Sequence, residues 1–368
     1  MKTYGYINTK NEMIIQSRYH EAGAFCEGMS VVGIDGKYGL IDQWGTEVLP
    51  LQYDAVRMMS DGIAAVQQGE KWGFVDRQGK IFISPQFDNV GEFAEGLAAV
   101  CVDESWGFVD RFGTLRIPCH YDDAFSFEQG MAMVAKDKCY GFIDNAGSEV
   151  IPIRYENILP LNDGLAPICV DDRWGCIDSS GTTVIKPCYE DIGLHQQGLL
   201  TVKQDNKWGC VDIYGKTVIP FQYEEAIHFK EGLAPLVQEG KYGFLRRNGN
   251  WAIAPVFDYA DHFIAGLALV ERDGKYGFID HTGTMVIPLD YDDGYSFDAE
   301  TASVKKGEYW GCIDKRGSVC VPFVYNEPVF FSEGRARVGE WIGKGTPKGS
   351  TKLITESKKI TNDTSTDN

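Results

Sequence analysis

The chain lacks the sequence features that identify several large classes of protein. Its 368 residues contain no uninterrupted apolar run of the roughly 18–20 residues that a membrane-spanning helix needs. None of the motifs HExxH, GxxxxGK[ST] and GxSxG is present, so nothing indicates a metalloprotease, a phosphate-binding loop or a hydrolase nucleophile. There are six His and no Cys-x-x-Cys pair. We therefore expect a protein that is not an enzyme, needs no metal or cofactor and crosses no membrane.

Positive charge is scarce. Lys and Arg number 35 against 53 Asp and Glu, which gives a net charge of −18. A polyanion repels nucleic-acid phosphates and anionic membrane surfaces, whereas it attracts basic surfaces. Residues 1–8 show no apolar segment of a secretory signal, and the ten Cys show no disulfide spacing. We expect reduced thiols, a cytoplasmic location and a protein partner, possibly a basic one, rather than nucleic acid or a membrane.

Glycine is abundant, at 42 residues, and it marks a period of 34 residues. An aromatic residue followed by Gly recurs ten times without an insertion or a deletion. The pairs are Tyr4-Gly5, Tyr38-Gly39, Trp72-Gly73, Trp106-Gly107, Tyr140-Gly141, Trp174-Gly175, Trp208-Gly209, Tyr242-Gly243, Tyr276-Gly277 and Trp310-Gly311. We expect the aromatic ring to pack between successive repeats and the Gly to permit close approach. The array spans residues 1–343, and the polar tail 344–368 is predicted to be disordered.

Each repeat is predicted to be a β-meander and not a helical hairpin. Several Gly and usually one Pro per repeat would break helices of this length. In the fourth copy, residues 97–102, 105–109 and 114–117 read as three strands, with a tight turn at Asp110–Gly113. Pro118 is expected to end the third strand. One unit cannot bury its apolar face alone, so we expect stability to come from stacking.

The fold class is therefore all-β, but the repeat alone leaves two architectures open. Propeller blades usually have four strands in about 40–45 residues, and rings usually close at roughly four to eight blades. Ten copies of a three-stranded unit fit that description poorly. We expect an open solenoid or superhelix, with a closed propeller-like ring as the alternative.

Acidic residues recur at the two positions after the Tyr or Phe that closes each repeat, and stacking would align them in rows. We take ten of them as candidates for partner binding: Asp122, Asp123, Glu156, Glu190, Asp191, Glu224, Glu225, Asp258, Asp292 and Asp293. The alternative is that these carboxylates cap turns or pair with the Lys that precedes the aromatic residue, at Lys37, Lys71, Lys207, Lys241 and Lys275. Their spacing does not match the known calcium-binding repeats. His228 and His262 share one column, and we interpret them as surface residues.

The repeated columns resemble those of the WG-repeat family, also called KWG repeats, which occurs mainly in bacterial proteins. The resemblance rests on Lys71-Trp72-Gly73-Phe74-Val75-Asp76, Gly79, Pro85-Gln86-Phe87-Asp88 and Glu95-Gly96-Leu97-Ala98, and it extends from residue 4 to about residue 340. Arg246 and Glu300 depart from the pattern. So do Asn11, Arg335 and Arg337, which we interpret as polar caps of the terminal copies. The resemblance implies interaction and no defined reaction.

The favoured function is a non-catalytic interaction scaffold with an acidic binding surface. The alternative is a carbohydrate or cell-wall binding module that uses exposed aromatic rings. An enzyme would need different catalytic groups from copies that are nearly alike, so the regularity of the array argues against it.

Overall fold

The computed structural model describes residues 2–193, 195, 198–298 and 300–341, and the predicted tail lies outside these residues. The regular structure of the described residues consists of β-strands, joined into ten small antiparallel sheets that we call blades. The described part of the chain contains no helix with the length and hydropathy that a membrane crossing requires.

The strands follow one another in the same order through the chain, and four strands make a blade except in blade 7. The chain starts with β1 (Lys2–Asn8) and β2 (Met13–Tyr19). Blade 1 is β3 (Glu21–Ala22), β4 (Met29–Ile34), β5 (Lys37–Asp42) and β6 (Glu47–Tyr53); blade 2 is β7 (Ala55–Val56), β8 (Ile63–Gln68), β9 (Lys71–Asp76) and β10 (Ile81–Phe87); blade 3 is β11 (Asn89–Ala94), β12 (Leu97–Val102), β13 (Ser105–Asp110) and β14 (Leu115–Tyr121); blade 4 is β15 (Asp123–Ala124), β16 (Met131–Lys136), β17 (Cys139–Asp144) and β18 (Glu149–Tyr155); blade 5 is β19 (Asn157–Ile158), β20 (Leu165–Val170), β21 (Arg173–Asp178) and β22 (Thr183–Tyr189). Blade 6 is β23 (Asp191–Ile192), β24 (Leu199–Gln204), β25 (Lys207–Asp212) and β26 (Thr217–Tyr223); blade 7 is β27 (Leu233–Gln238), β28 (Lys241–Arg246) and β29 (Trp251–Phe257); blade 8 is β30 (Tyr259–Ala260), β31 (Ala268–Arg272), β32 (Lys275–Ile279) and β33 (Met285–Tyr291); blade 9 is β34 (Asp293–Gly294), β35 (Thr301–Lys306), β36 (Tyr309–Asp314) and β37 (Val319–Tyr325); blade 10 joins β38 (Phe331–Ser332) and β39 (Arg335–Trp341) to β1 and β2.

Blade 10 closes the array into a ring, because it is built from both ends of the described chain. Strand β1 pairs with β39 along its whole length, from Lys2 opposite Trp341 to Asn8 opposite Arg335. The expectation of an open solenoid is therefore wrong, and the alternative, a propeller-like ring, describes the molecule. Ten blades exceed the usual range of roughly four to eight. A blade shared between the two ends removes the exposed terminal sheets that an open array would leave.

The predicted meander is correct for the second and third strands of a blade and incomplete for the rest. In blade 3, β12 and β13 fall where the sequence predicts strands. The residues after Pro118, for which the predicted meander has no strand, supply a further strand, β15 in the next blade. Pro118 does not end the fourth strand, which continues to Tyr121. A fourth strand lies at the edge of its sheet, where a residue without an N–H is tolerated.

The hydrophobic core is divided among the interfaces between consecutive blades, which we call seams and number by their two blades. Each of the ten buried clusters in the described residues combines side chains from two neighbouring blades. At seam 2/3, Phe74 of blade 2 packs edge-on against Phe93 of blade 3, with ring centroids 4.8 Å apart. Seam 10/1 has the same construction, with Tyr6 4.9 Å from Phe25. The core is thus continuous around the ring.

The two glycine columns allow two different close approaches. A Cβ built on Gly107 would lie 2.5 Å from the carbonyl oxygen of Ile117, so the glycine after the aromatic residue admits the fourth strand of its own blade. The close approach expected at this Gly is therefore between two strands of one blade. The second glycine column serves the contact between blades: a Cβ built on Gly113, whose φ is +76°, would lie 3.5 Å from the Ile83 side chain of the preceding blade. The Trp106 ring packs against the seam 3/4 cluster.

Candidate functional site

The first surface to consider is formed by the corners, where a fourth strand leads into the next blade, and by the turns between second and third strands. We call it the corner face. Asp54, at the corner between blades 1 and 2, accepts hydrogen bonds from Lys37 Nζ at 2.5 Å and from the backbone N–H of Gly69 at 2.7 Å. Lys37 lies in blade 1 and Gly69 in the second–third turn of blade 2. The carboxylate therefore links consecutive blades across their seam.

The same link recurs around the ring, and it supports the structural alternative for part of the acidic column. Lysine–carboxylate pairs of this kind join Lys37 to Asp54, Lys71 to Asp88, Lys207 to Glu224, Lys241 to Asp258 and Lys275 to Asp292. The hydrogen bond from the lysine is the main cause that lowers the pKa of Asp54, and the backbone N–H adds to it. The pKa values of Asp88, Asp258 and Asp292 are lowered for the same reasons. These carboxylates stay ionised at neutral pH.

The ten partner-binding candidates all lie at corners of the ring, but they differ in what they already contact. Backbone N–H groups donate to Glu156, from Asp172 at 3.3 Å, and to Glu190, from Asn206 at 3.0 Å. Asp123, Asp191 and Asp293 each accept the N–H of the next residue at 2.8–2.9 Å. Glu224, Asp258 and Asp292 pair with lysines. Asp122 and Glu225 are exposed, and within the described residues their side chains make no hydrogen bond or ion pair.

Sequence reasoning missed a second set of acids on the corner face. They occupy the two-residue turns between second and third strands, and most of these turns have at least one acidic residue at positive φ: Asp35, Asp103, Glu104, Asp137, Asp171, Asp172, Asp205, Glu239 and Asp273. Such turns require positive φ, which Gly adopts without strain and Asp tolerates. The N–H of Asp103 donates to Asp88 at 2.9 Å, which places the turn against the corner. Reading these dipeptides as hairpin turns would have found this set.

The opposite surface, the turn face, carries the first–second and third–fourth turns. Here Glu27 of blade 1 accepts the N–H of Gly62 and the guanidinium of Arg77, both from blade 2 and both at 2.8 Å. The hydrogen bond from Arg77 is the main cause that lowers the pKa of Glu27. Glu333 of blade 10 accepts the N–H of Gly28 in blade 1 at 2.7 Å, so this ladder also crosses the closing seam.

The departures at the two ends of the array are contacts of the closing seams and not polar caps, so that interpretation is wrong. Tyr325 donates its hydroxyl to Asn11 at 2.8 Å, between blades 9 and 10. Arg335 donates from Nε to the carbonyl oxygen of Gln43 at 3.1 Å, and Arg337 donates from Nη1 to that of Ala22 at 3.1 Å. The charged side chains reach carbonyl groups of blade 1 and hold it to blade 10.

Three aromatic side chains on the turn face are far more exposed than the rest. Trp44, Phe112 and Tyr214 are 73%, 90% and 80% exposed. Each follows the Asp of a third–fourth turn by two residues, and its backbone N–H donates to that Asp at 2.9 Å. The turn holds the backbone so that the ring stands at its tip. The aromatic columns of the repeat itself are mostly buried or half-buried.

The histidines and cysteines of the described residues form no metal site. No group of three His, Cys, Asp or Glu side chains there could hold an ion. The Nε2 atom of His262 lies 3.1 Å from the backbone oxygen of His228, so these two residues meet through a main-chain contact. Burial raises the pKa of Cys176 to about 12 and that of Cys210 to about 11, which keeps both thiols protonated and unreactive.

Comparison with known proteins gives a family match and likenesses to solved structures. A eukaryotic initiation factor is 10% identical over 92% of this chain and 98% of that chain, with a TM-score of 0.51. Hsv2 of Kluyveromyces lactis is 9% identical over 66% of this chain and 89% of that chain, with a TM-score of 0.33. The comparison with curated protein sequences finds no match. The family model described as WG containing repeat matches residues 4–38, 38–72, 72–105, 106–138, 140–174, 174–208, 208–242, 242–276, 276–310 and 310–340. The chain belongs to the WG-repeat family.

Proposed function

We propose that this ring is a non-catalytic interaction scaffold whose corner face binds a basic protein partner. The observation that carries the proposal is the convergence of two acidic sets on one face, the corner acids and the second–third turn acids. Five of the corner acids are matched by lysines, and the turn acids add further carboxylates to the same face. A cytoplasmic location, compatible with ten thiols that are all free, is part of the same proposal.

The physical basis of binding is the summed field of the face and not any single carboxylate. Exposed charges attract over about 8 Å at physiological ionic strength, so neighbouring corners act together on a partner that covers several blades. Such fields raise association rates by roughly ten- to a thousandfold and lose their effect as salt increases. Asp122 and Glu225 are the corner acids best placed to meet a partner, since the fold does not use their side chains.

A salt titration with a basic probe tests this proposal. A fluorescent oligolysine peptide should bind the full chain at low salt and dissociate as salt rises. Replacing Asp122→Asn together with Glu225→Gln should weaken binding at least threefold. The matched control is Glu47→Gln with Glu128→Gln, which removes the same charge from the turn face and should change the affinity much less. Equal weakening by both pairs would show that only net charge matters and would refute a binding face.

A second candidate, binding to carbohydrate, is favoured by the exposed rings of Trp44, Phe112 and Tyr214. Aromatic faces stack on sugar rings, and three tips on one face could contact a polymer at several points. A glycan array with the full chain tests this candidate. Binding that is lost on Trp44→Ala or Phe112→Ala would support it, and an array without hits would remove it.

A further inference from the structure

At seam 8/9 the fold places a second ring and a cation beside the aromatic residue that ends a blade. Tyr291 ends the fourth strand of blade 8, and its ring centroid lies 6.2 Å from that of Phe323 in blade 9. The Nζ atom of Lys306, also in blade 9, lies 6.0 Å from the same Tyr291 centroid. Other seams have one of the two contacts: Tyr189 with Phe221 at seam 5/6, and Phe257 with Arg272 at seam 7/8. The ring that ends a blade is thus a recurrent place for an apolar group and a cation.

Seam 2/3 has the corresponding ring, but the two positions beside it carry other residues. The equivalents are Phe87 for the tyrosine, Cys119 for the phenylalanine and Val102 for the lysine. Cys119 is also smaller than Leu51 and Ile153, which occupy its column in blades 1 and 4. These two positions of seam 2/3 therefore supply neither a second ring nor a cation.

A groove of about 590 Å³ lies at this place, a volume typical of binding pockets, which span roughly 300–1,000 Å³. Its lining includes Phe87, Val102 and Cys119, and it also includes Leu115 and Asp103. Val102 and Leu115 are 37% and 47% exposed although both are apolar. The groove therefore offers apolar walls to a ligand, with one carboxylate among its lining residues.

The charge at one end of the groove is negative. Asp103 and Glu104 form the second–third turn of blade 3, so this end lies on the corner face. Lys71, at the neighbouring corner, is already paired with Asp88. A cation that enters here can interact both with the Asp103 carboxylate and with the ring of Phe87. The groove thus fits an apolar group that has a cation next to it.

We propose that the basic partner of the corner face inserts one aromatic side chain, flanked by Lys or Arg, into the groove at seam 2/3. This inference rests on the proposed function, because it specifies how the same partner is recognised. The inserted ring takes the place beside Phe87 that Phe323 takes beside Tyr291, and the flanking cation takes the place of Lys306. An aromatic residue that fills a pocket is a common anchor of protein interfaces. The groove adds a sequence preference that charge alone does not give.

Two fluorescent hexapeptides of equal charge test the groove. Each has five lysines, and the third residue is phenylalanine in one peptide and serine in the other. At the same salt concentration, the unaltered full chain should bind the phenylalanine peptide at least about fivefold more tightly. Cys119→Phe supplies the ring that seam 8/9 has, so it should abolish this preference and leave the affinity for the serine peptide unchanged.

Matched variants separate filling of the groove from other effects. Ile153→Phe introduces the same residue in the same column at seam 3/4 and should retain the preference. Cys119→Ser removes the thiol without filling the groove and should retain it as well. Urea unfolding checks that each variant is folded. If Cys119→Phe does not fold, Val102→Lys, which places the lysine of seam 8/9 beside Phe87, should abolish the preference instead.

The outcomes distinguish this inference from the proposed function. A preference for the phenylalanine peptide that persists in the folded Cys119→Phe or Val102→Lys chain would refute the groove. Equal binding of both peptides to the unaltered chain would also refute the groove, while the acidic binding face would stand. If neither peptide binds the unaltered chain at low salt, the proposed function itself fails.

Discussion

Replacing Ile7 with alanine distinguishes a closed ring from an array with free ends. Ile7 lies in β1 and is 1% exposed within the seam 9/10 cluster, where Val321, Val329 and Val338 surround it. Ile143 occupies the same column in blade 4 and is 0% exposed. Truncating a buried Ile to Ala typically costs about 2–5 kcal/mol, from lost transfer free energy and the cavity left behind. In a ring, the first strand has neighbours on both sides, so Ile7→Ala and Ile143→Ala should cost similar amounts.

Urea unfolding of the two variants provides the assay. We expect both midpoints to fall by comparable amounts, with slopes close to that of the unaltered protein. In an open array, β1 would be a terminal strand that frays at little cost. A change in the midpoint for Ile7→Ala that is less than a quarter of that for Ile143→Ala would therefore refute the closed ring.

Three further predictions concern single contacts. Gly107→Ala should destabilise the protein by at least about 2 kcal/mol in urea unfolding, because the new methyl group would meet backbone atoms. Gly193→Ala, whose Cβ would meet only Thr201 at 3.6 Å, should be close to neutral. Equal effects would contradict the role given to the glycine column that contains Gly107. Asp261 pairs with His262 and Ser296, and these contacts lower its pKa to about 2. Asp261→Asn should therefore reduce the melting temperature at pH 7. The difference in melting temperature should shrink as the pH falls from about 4, the pKa of Asp in an unfolded chain, towards 2. A difference that is independent of pH would show that charge is not involved. Glu333→Gln should speed hydrogen exchange at the amide of Gly28, which loses a charged acceptor across seam 10/1. Exchange at Gly130, which donates to Glu95, should stay unchanged. Equal exchange at Gly28 before and after the substitution would contradict the glutamate contacts across the seams of the turn face.

Much of the blade was predictable because it depends on local patterns. The tight turn at Asp110–Gly113 was predicted, and Asp110 accepts the N–H groups of Phe112 and Thr114 at 2.9 Å. The strands on either side follow from their apolar residues. The first strand was missed since in most blades it has only two residues, as in Asp123–Ala124, too few for any periodicity to show.

Ring closure was not predictable from local patterns, because its partners lie more than 300 residues apart in the chain. The signal was nonetheless present at Asn11, Arg335 and Arg337. A polar residue that departs from the repeat can face solvent, as a cap does, or meet a partner from the other end. The sequence of one copy does not distinguish these, and the hydrogen bonds of Arg335 and Arg337 to blade 1 do.

The sequence predicted which repeat positions carry the corner acids, but not which of these carboxylates already have a partner in the folded protein. The column places Asp122 and Asp258 at equivalent corners. Whether a carboxylate is already paired depends on one residue 17 positions earlier: Lys241 is present for Asp258, and Ser105 stands there for Asp122. The acids of the second–third turns were overlooked because each lies in a two-residue turn. Only the assembled ring places them beside the corners.

Native-state hydrogen exchange along β1 is the measurement that tests the closed ring most directly. This strand pairs with β39 on one side and β2 on the other. We predict that its inner amides, such as those of Gly5 and Ile7, exchange as slowly as those of Gly141 and Ile143 at the same positions in blade 4, and that Ala336→Pro in β39 speeds their exchange. Rapid exchange along β1 in the unaltered protein, with slow exchange in blade 4, would contradict the ring.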